Sequence, residues 1–282
     1  MSPEHARVSA RAVAAWSAAC LLIVLMTTNP AYKGAVLAAA LCALAAGSGL
    51  RRIRGLLVAV AAVAMFAALL NFVSAHLGDT VLFSLPASIP AVGGPYTLEA
   101  LAFGATGGMT IAAAILAVAP FSLLLESHDI VDALPTALAR TGAAIAASLN
   151  LVPEVGATFV QVTEAQRMRG WRPRGPRSWA EVVVPVVLTS VESSLQLAES
   201  MEARGFGSGR RTHVDPPRMS RAGWVVTASA GGAVALFIFA SAAGWAQPWA
   251  PYPALSMPPV DPLALFACAL LFVPVAAWRS RR

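Results

Sequence analysis

The chain has 282 residues, of which 57% are hydrophobic and only 12% charged, and its mean hydropathy is +0.68. This composition excludes an ordinary soluble domain and predicts an all-α polytopic membrane protein. The net charge of +6 does not indicate a nucleic-acid-binding protein, because the basic residues lie in segments between apolar runs, where membrane topology explains them.

Six apolar runs are long enough to cross a bilayer, which takes about 17–25 residues per helix. The fourth run is overlong and contains Pro120, so we expect it to tilt or to kink there. The runs cover residues 12–28, 34–50, 56–75, 98–125, 222–244 and 262–278.

The distribution of basic residues supports this number of spans. If the N-terminus is cytoplasmic and the runs alternate, every arginine falls inside and Lys33 is the only basic residue outside. The outer segments 76–97 and 245–261 then hold no Lys or Arg. The sequence therefore predicts about six transmembrane helices with both termini cytoplasmic, and a cytoplasmic region between the fourth and fifth.

Two features of the first membrane segment concern packing. The outer segment 76–97 carries an apolar patch at Val81, Leu82 and Phe83, and it lies against the outer membrane surface, dips back into the protein or forms an ordinary tight connection. In the fourth run, Gly104 and Gly108 are spaced as in a close helix–helix contact.

The long polar region between residues 126 and 221 contains one short pattern twice. Each copy has a Glu five residues before an Arg, a Gly directly after that Arg and then an aromatic residue. Apolar residues upstream recur at intervals of three and four, which is typical of amphipathic helices. A cation suits the carbonyl-rich end of a helix and glycine tolerates a left-handed cap, so each Arg-Gly pair is predicted to end a helix. The copies are Glu164-Ala165-Gln166-Arg167-Met168-Arg169-Gly170-Trp171 and Glu199-Ser200-Met201-Glu202-Ala203-Arg204-Gly205-Phe206.

One such copy alone would favour ordinary helix capping, whereas two copies in the one long polar region favour a docking surface. Residues 141–152 are apolar but too short to span a bilayer, and we expect an interfacial helix that Pro153 breaks before the first docking helix starts. The second docking helix is expected from Pro185 onward. Between them, residues 171–177 form a basic turn, for which anionic lipid headgroups and a protein partner are equally good ligands.

Residues that carry chemistry are sparse. No charged residue lies in the middle of a predicted span, and ion pathways or intramembrane catalysis normally need buried ionisable groups. The histidines are scattered, and the three cysteines fall in apolar runs without paired spacing. The glycine-rich stretch after Arg204 lacks the Lys-Ser/Thr ending of a phosphate loop. We therefore predict no catalytic, cofactor or metal site, and expect energy and substrate recognition to come from other chains.

With both motifs in view, the chain resembles the transmembrane T component of energy-coupling factor (ECF) transporters, the family that includes the cobalt permease CbiQ. The signature is a pair of Ala-Arg-Gly motifs that end two cytoplasmic coupling helices. Ala203-Arg204-Gly205 matches in full, whereas Met168-Arg169-Gly170 has Met in place of Ala. The likeness extends to Thr28-Asn29-Pro30, Gly78-Asp79-Thr80-Val81-Leu82-Phe83 and Leu151-Val152-Pro153.

The resemblance implies a scaffold of a bacterial plasma-membrane importer. Two cytosolic ABC ATPase subunits would bind ATP and the coupling helices, and a separate membrane-embedded S component would bind a vitamin or metal ion. Arg169 and Arg204 would be the anchors for the two ATPases. The expected organisation is a four-span segment 1–126, a coupling segment 127–221 and a two-span segment 222–282. The coupling residues would be Met168, Arg169, Gly170, Ala203, Arg204 and Gly205, with Glu164, Glu199, Trp171 and Phe206 in support, the two aromatics either entering the interfaces or lying along the membrane surface.

Other readings stay open at this point. The protein could be a dedicated cobalt or nickel permease subunit, a passive membrane anchor for a cytosolic complex or, from a different class, an intramembrane enzyme. The resemblance leaves open the substrate, the S component, whether the two ATPases are identical and the effect of Met168.

Overall fold

The computed structural model describes residues 9–48, 50–86, 93–125, 139–205 and 219–279. It confirms an all-α polytopic membrane protein, with one small β-hairpin. Contacts divide the chain into two compact units, residues 1–126 with 219–282 and residues 127–218. The helices are α1 (Ala10–Met26), α2 (Pro30–Ser48), α3 (Leu50–Ser74), α4 (Leu98–Leu124), α5 (Ala139–Met168), α6 (Ala180–Ala203), α7 (Arg221–Ala242), α8 (Pro262–Leu270) and α9 (Val273–Arg279), and the strands are β1 (Val81–Leu85) and β2 (Gly94–Thr97).

Each predicted apolar run is helical over most of its length, but the helices differ in their capacity to span a bilayer. Among the described residues, five stretches are long and apolar enough, and four of them lie in α2, α3, α4 and α7. The fifth, Arg177–Ala203, includes α6, which the sequence assigns to the cytoplasm. Residues Ala10–Met26 and Pro262–Ala276 form shorter apolar helices. Length and composition therefore do not separate α6 from the predicted membrane spans.

The core of the first unit is built from small side chains around a few large ones. Helix α1 packs against α4 and α7, and α2 packs between α4 and α8. Trp16, Tyr32 and Phe237 are fully buried, and the ring of Tyr32 meets that of Phe237 edge-on at 5.6 Å between centroids.

The last predicted run is interrupted rather than continuous. Residues Leu271 and Phe272 form a turn between α8 and α9. Pro274, the second residue of α9, has a ring and lacks an N–H, and both disfavour an uninterrupted helix. The carbonyl of Leu271 instead accepts a hydrogen bond from the indole Nε1 of Trp16 at 2.9 Å. This bond joins the break to the core.

The predicted close contact at Gly104 and Gly108 is confirmed. A Cβ atom at Gly104 would lie 2.6 Å from the carbonyl oxygen of Ala68, and one at Gly108 would lie 2.5 Å from that of Ala64. Only glycine lets α3 and α4 approach this closely at these positions.

The outer segment 76–97 forms a hairpin in which β1 pairs antiparallel with β2. Its apolar patch does not dip into the protein, because Val81, Leu82 and Phe83 are each about half exposed. Within the hairpin, the ring of Phe83 stacks on that of Tyr96 with centroids 4.6 Å apart. The sequence missed this hairpin because its strands are only five and four residues long.

Glu99, in the first turn of α4, anchors this hairpin through hydrogen bonds. Its carboxylate is fully buried and accepts hydrogen bonds from the backbone N–H of Thr80 at 3.2 Å and from the Thr80 hydroxyl at 2.6 Å. Gly78, with φ of +131°, lies against the same carboxylate, where a side chain would collide with it. Burial raises the pKa of the Tyr252 phenol, and the nearby charge of Glu99 adds to this rise.

Lys33 is placed differently from its expected position in an outer connection. It lies in the first turn of α2, only 7% of its side chain is exposed, and its Nζ donates to the hydroxyl of Thr110 at 2.6 Å. Gly47 lies against Leu124, and this pair has the same sequence separation as Lys33 and Thr110, so α2 and α4 run parallel. Lys33 therefore lies about 18 Å along α4 from its N-terminal end at Leu98. The predicted apolar run starts after Lys33 because a charged residue lowers the local mean hydropathy. Helix α2 itself begins at Pro30.

The Thr28-Asn29-Pro30 motif holds the second outer segment. The Asn29 side-chain amide donates to the carbonyl of Pro259 at 2.6 Å, and the Thr28 hydroxyl accepts from the backbone N–H of Trp249 at 3.0 Å. Segment 243–261 is thereby bound to the turn between α1 and α2.

In the second unit, α5 is one helix of 30 residues that runs through Pro153, so the expected break at this residue is wrong. Proline removes one helical hydrogen bond and costs about 3 kcal/mol, which packing further along the helix can offset. Here Val155, Phe159 and Val162 pack against the start of α6.

Helix α6 begins at Ala180, five residues before the expected Pro185, which lies inside it. A short 3-10 turn, Pro176–Trp179, leads directly into this helix. Because proline fixes a helical φ, Pro185 is compatible with an early turn of the helix.

Candidate functional site

The end of α5 has the cap geometry that the Arg-Gly pattern predicts. The helix ends at Met168, and Gly170 has a positive φ of 86°. The N–H of Gly170 donates to the carbonyl of Arg167 at 3.0 Å, and that of Trp171 donates to the carbonyl of Gln166 at 2.9 Å. This pair of bonds is a Schellman motif with Arg169 as the C-cap residue.

The end of α6 repeats this geometry. The helix ends at Ala203, Arg204 is the C-cap residue, and Gly205 has a positive φ of 71°. The N–H of Gly205 donates to the carbonyl of Glu202 at 2.8 Å, which corresponds to the Gly170 bond in the first copy. Both helices therefore end directly before their motif arginine, as predicted.

The two helix ends present their arginines outward. Arg169, Arg204 and Ala203 are exposed, and Met168 is 84% exposed. Within the described part of the chain, neither guanidinium forms an ion pair. Met168 therefore makes little contact with its own helix pair, and its extra length relative to alanine lies at the surface.

The two arginines lie at opposite ends of α6. The side-chain Nε2 of Gln166 donates to the carbonyl of Glu181 at 3.1 Å, so the end of α5 lies beside the start of α6. Arg204 follows the last residue of α6, about 35 Å further along the helix axis. The site is thus two separated tips rather than one cluster.

The two copies differ in the residue after the glycine. Trp171 is only 8% exposed, packs with Val182 and Val186, and donates its indole Nε1 to the carbonyl of Ser178 at 2.9 Å. Trp171 therefore stabilises the corner between α5 and α6. Its side chain is buried there, whereas the sequence placed it either in an interface with a partner or along the membrane surface. Phe206 lies outside the described residues.

Two further residues complete this corner. The ring of Trp179 stacks on that of Phe159, with an interplanar angle of 9°, and meets the ring of Trp171 edge-on at 5.3 Å. The Ser178 hydroxyl accepts from the N–H of Arg174 and donates to the carbonyl of Gly175. The apolar spacing of Phe159 was visible in the sequence, but the contribution of Trp179 was not.

Glu164 and Glu199, the acidic residues shared by the two copies, are exposed on their helices. Each lies five residues before its arginine, which rotates it by about 140° from the arginine around the helix axis. They are therefore not positioned as partners of the arginine in the same motif.

Helix α6 also exposes an apolar stripe. Val184, Leu188, Val191 and Leu195 follow one another at helical spacing, and each is more than half exposed. The stripe lies on the side opposite to Val182 and Val186, which face α5. Within the second unit, α5 does not cover this stripe.

The described residues contain no group of three or more His, Cys, Asp or Glu side chains that could hold a metal ion. The arrangement offers cationic tips and an apolar helical face, which are features of a binding surface.

A family model described as CbiQ, cobalt transport protein, matches residues 2–214, which are 213 of the 282 residues. The chain belongs to the CbiQ family. Compared with curated protein sequences, it has no match. As a CbiQ-family protein with several membrane-spanning helices, it is a multi-pass membrane subunit of a transporter complex. The matched residues include both Arg-Gly motifs and the Thr28-Asn29-Pro30 motif.

Proposed function

We propose that this CbiQ-family protein is the T component of an ECF-type importer, which couples ATP hydrolysis by two cytosolic ATPase subunits to a membrane-embedded S component. One observation carries the proposal. Two exposed arginines cap two helices with the same geometry and lie at opposite ends of α6. Two equivalent tips on one chain suit a pair of similar subunits.

Each tip has the chemistry of an anchor. A guanidinium can donate in parallel to a carboxylate or to backbone carbonyls in a partner groove. The glycine behind it turns the chain away without a Cβ clash, so that the arginine remains at the extreme end of its helix. The separation of about 35 Å along α6 is too large for one small groove and favours two binding sites.

The path of coupling follows from α6. When ATP binding closes the two ATPases, the tips move with the subunits that hold them, and α6 transmits the motion as a rigid element. Its apolar stripe, Val184 to Leu195, is the surface that the S component would contact. The S component would then reorient and release its substrate inward.

The proposed topology has both termini and residues 127–218 in the cytoplasm of a bacterium, because this arrangement leaves the outer segments without arginine. The family description names cobalt as the transported ion, and a cobalt or nickel ion is accordingly the first substrate to test. A vitamin carried by another S component is the second. In either case the ligands for the substrate would lie on the S component.

The proposal is tested by replacing Arg204 with Glu and Arg169 with Glu, separately, in the complete transporter. Each variant is expected to insert normally, to lose co-purification of ATPase and to abolish cobalt uptake in reconstituted vesicles, since the anchor charge is reversed. Mass spectrometry of the co-purified subunits identifies the ATPases and the S component.

Two matched controls make the test specific to the tips. Arg167→Glu makes the same charge change on an exposed residue of the last turn of α5, and Gln196→Glu adds a negative charge on the exposed side of α6. Both should retain uptake. Normal uptake by Arg204→Glu would overturn the proposal, and ATPase binding without any uptake by the unmodified complex would identify a passive anchor instead.

A further inference from the structure

We infer that the turn between α5 and α6 binds anionic lipid headgroups of the inner leaflet through Arg172, Arg174 and Arg177, here named the basic turn. This inference rests on the proposed cytoplasmic placement of residues 127–218, but not on the proposed coupling to ATPases, because it concerns a contact between this chain and the membrane. It also assigns the basic turn a different ligand from that of Arg169.

The first observation is a cluster of positive charges that has no acidic residue within it. Five arginines lie between residues 167 and 177, and no acidic residue occurs between Glu164 and Glu181. Arg172, Arg174 and Arg177 are exposed, and none of them forms an ion pair with another described residue. Such a cluster attracts phosphate groups strongly wherever an anionic surface is near.

The second observation is that the turn has an ordered framework. The backbone N–H of Arg174 donates to the Ser178 hydroxyl at 2.9 Å, and this hydroxyl donates to the carbonyl of Gly175 at 2.8 Å. Gly175 has a positive φ of 110°, with open space around its Cβ position. The three arginines therefore project from a fixed backbone, and binding does not require the turn to fold first.

The third observation is a partly exposed tryptophan that follows the basic turn in the chain. Trp179 is 37% exposed and stacks on Phe159, so part of its ring remains accessible, and it follows Arg177 by two residues in the chain. Indole rings combined with arginine are typical of the membrane–water interface, where the ring reaches the acyl boundary and the cation reaches the phosphates.

These observations favour lipid over an acidic groove in a protein partner. The three exposed arginines lie within six residues of one another and are separated by Pro173 and Gly175 along the turn. A fluid layer of headgroups can meet such a spread of charges, whereas a groove must match each position. The turn is also tethered to membrane-spanning helices, which keeps the local concentration of lipid high.

The experiment places an environment-sensitive NBD fluorophore beside the turn in the full-length protein. Ala180→Cys provides an exposed attachment site at the start of α6, in a background with Cys20, Cys42 and Cys268 replaced by Ala. In nanodiscs that contain phosphatidylglycerol, NBD emission should shift to the blue relative to pure phosphatidylcholine. High salt should reverse the shift.

Two substitution sets identify the residues responsible. R172Q/R174Q/R177Q should abolish the lipid-dependent shift, since three charges together change headgroup affinity about 100-fold. R172K/R174K/R177K should retain it, because headgroup attraction depends on charge. A second label at Gln196→Cys, on the exposed face further along α6, should not respond to either set.

Far-UV circular dichroism and gel filtration of each variant check that the protein remains folded. The inference is overturned if emission is the same in both lipid mixtures, or if the glutamine set leaves the shift unchanged. It is also overturned if the lysine set loses the shift together with the glutamine set. Loss of ATPase co-purification in the glutamine set, without any lipid-dependent shift in the parent, would assign the basic turn to a protein partner.

Discussion

The side-chain amide of Gln166 donates a hydrogen bond to the main-chain carbonyl of Glu181, which is the carbonyl that Pro185 leaves without its helical donor. One contact thus compensates for a proline in α6 and holds the end of α5 beside the start of α6. The position of Arg169 relative to Arg204 depends on this junction.

This relationship predicts that the loss of stability on replacing Gln166 depends on the presence of Pro185. Gln166→Met should destabilise the second unit by about 0.5–1 kcal/mol, because the Glu181 carbonyl loses its donor. In a Pro185→Ala background the residue at 185 supplies its own N–H, and the same change should have almost no effect. Thermal unfolding of the four proteins gives this coupling, and equal losses in both backgrounds would contradict it.

We expect glycine to be required at position 170 because of its backbone conformation, and not because a larger side chain would collide with a neighbour. A Cβ atom there would meet no atom within 4 Å, but its φ is +86°, so Gly170→Ala should cost about 1–2 kcal/mol and disturb the tip at Arg169. Gly156→Ala is the matched control within α5, where the added Cβ also meets nothing, and it should stabilise the helix slightly. Thermal unfolding and ATPase co-purification check both variants.

Gly108 is expected to be required for space. Its added Cβ would lie 2.5 Å from the Ala64 carbonyl oxygen, so Gly108→Ala should separate α3 from α4 and cost about 1–3 kcal/mol. The neighbouring Gly107 has open space, and Gly107→Ala should be neutral or slightly stabilising. Unfolding in detergent distinguishes them, and equal stability of the two variants would refute the close contact.

The buried Lys33–Thr110 pair predicts a rescue. Thr110→Val should destabilise the first unit by about 1.5–3 kcal/mol, because it removes the hydroxyl that accepts from the Lys33 ammonium. Lys33→Met removes the charge itself, so it should be neutral or stabilising, and in its presence Thr110→Val should become mild. Thermal denaturation of the single and double variants measures this, and an additive loss in the double variant would contradict a direct pairing.

Several features were predictable because they depend on local sequence. The membrane helices were predictable from long runs of apolar residues. The helix ends at Met168 and Ala203 were predictable from the Arg-Gly pairs, because their cap geometry involves only residues within one turn. Gly104 and Gly108 indicated a close contact because their spacing puts both on one helix face.

Other features were decided by contacts between residues far apart in sequence. Trp171 reads as an exposed partner of the motif but is buried against Val182, and Lys33 reads as an outer residue but is bound by Thr110 on another helix. Pro153 reads as a break, yet α5 continues because packing beyond the proline offsets the lost hydrogen bond. Sequence alone determined which segments are helical and where the arginine tips occur, since these depend on neighbouring residues. Only the tertiary structure decided what each side chain faces and how α6 separates the tips, because burial and distance depend on which helices pack together.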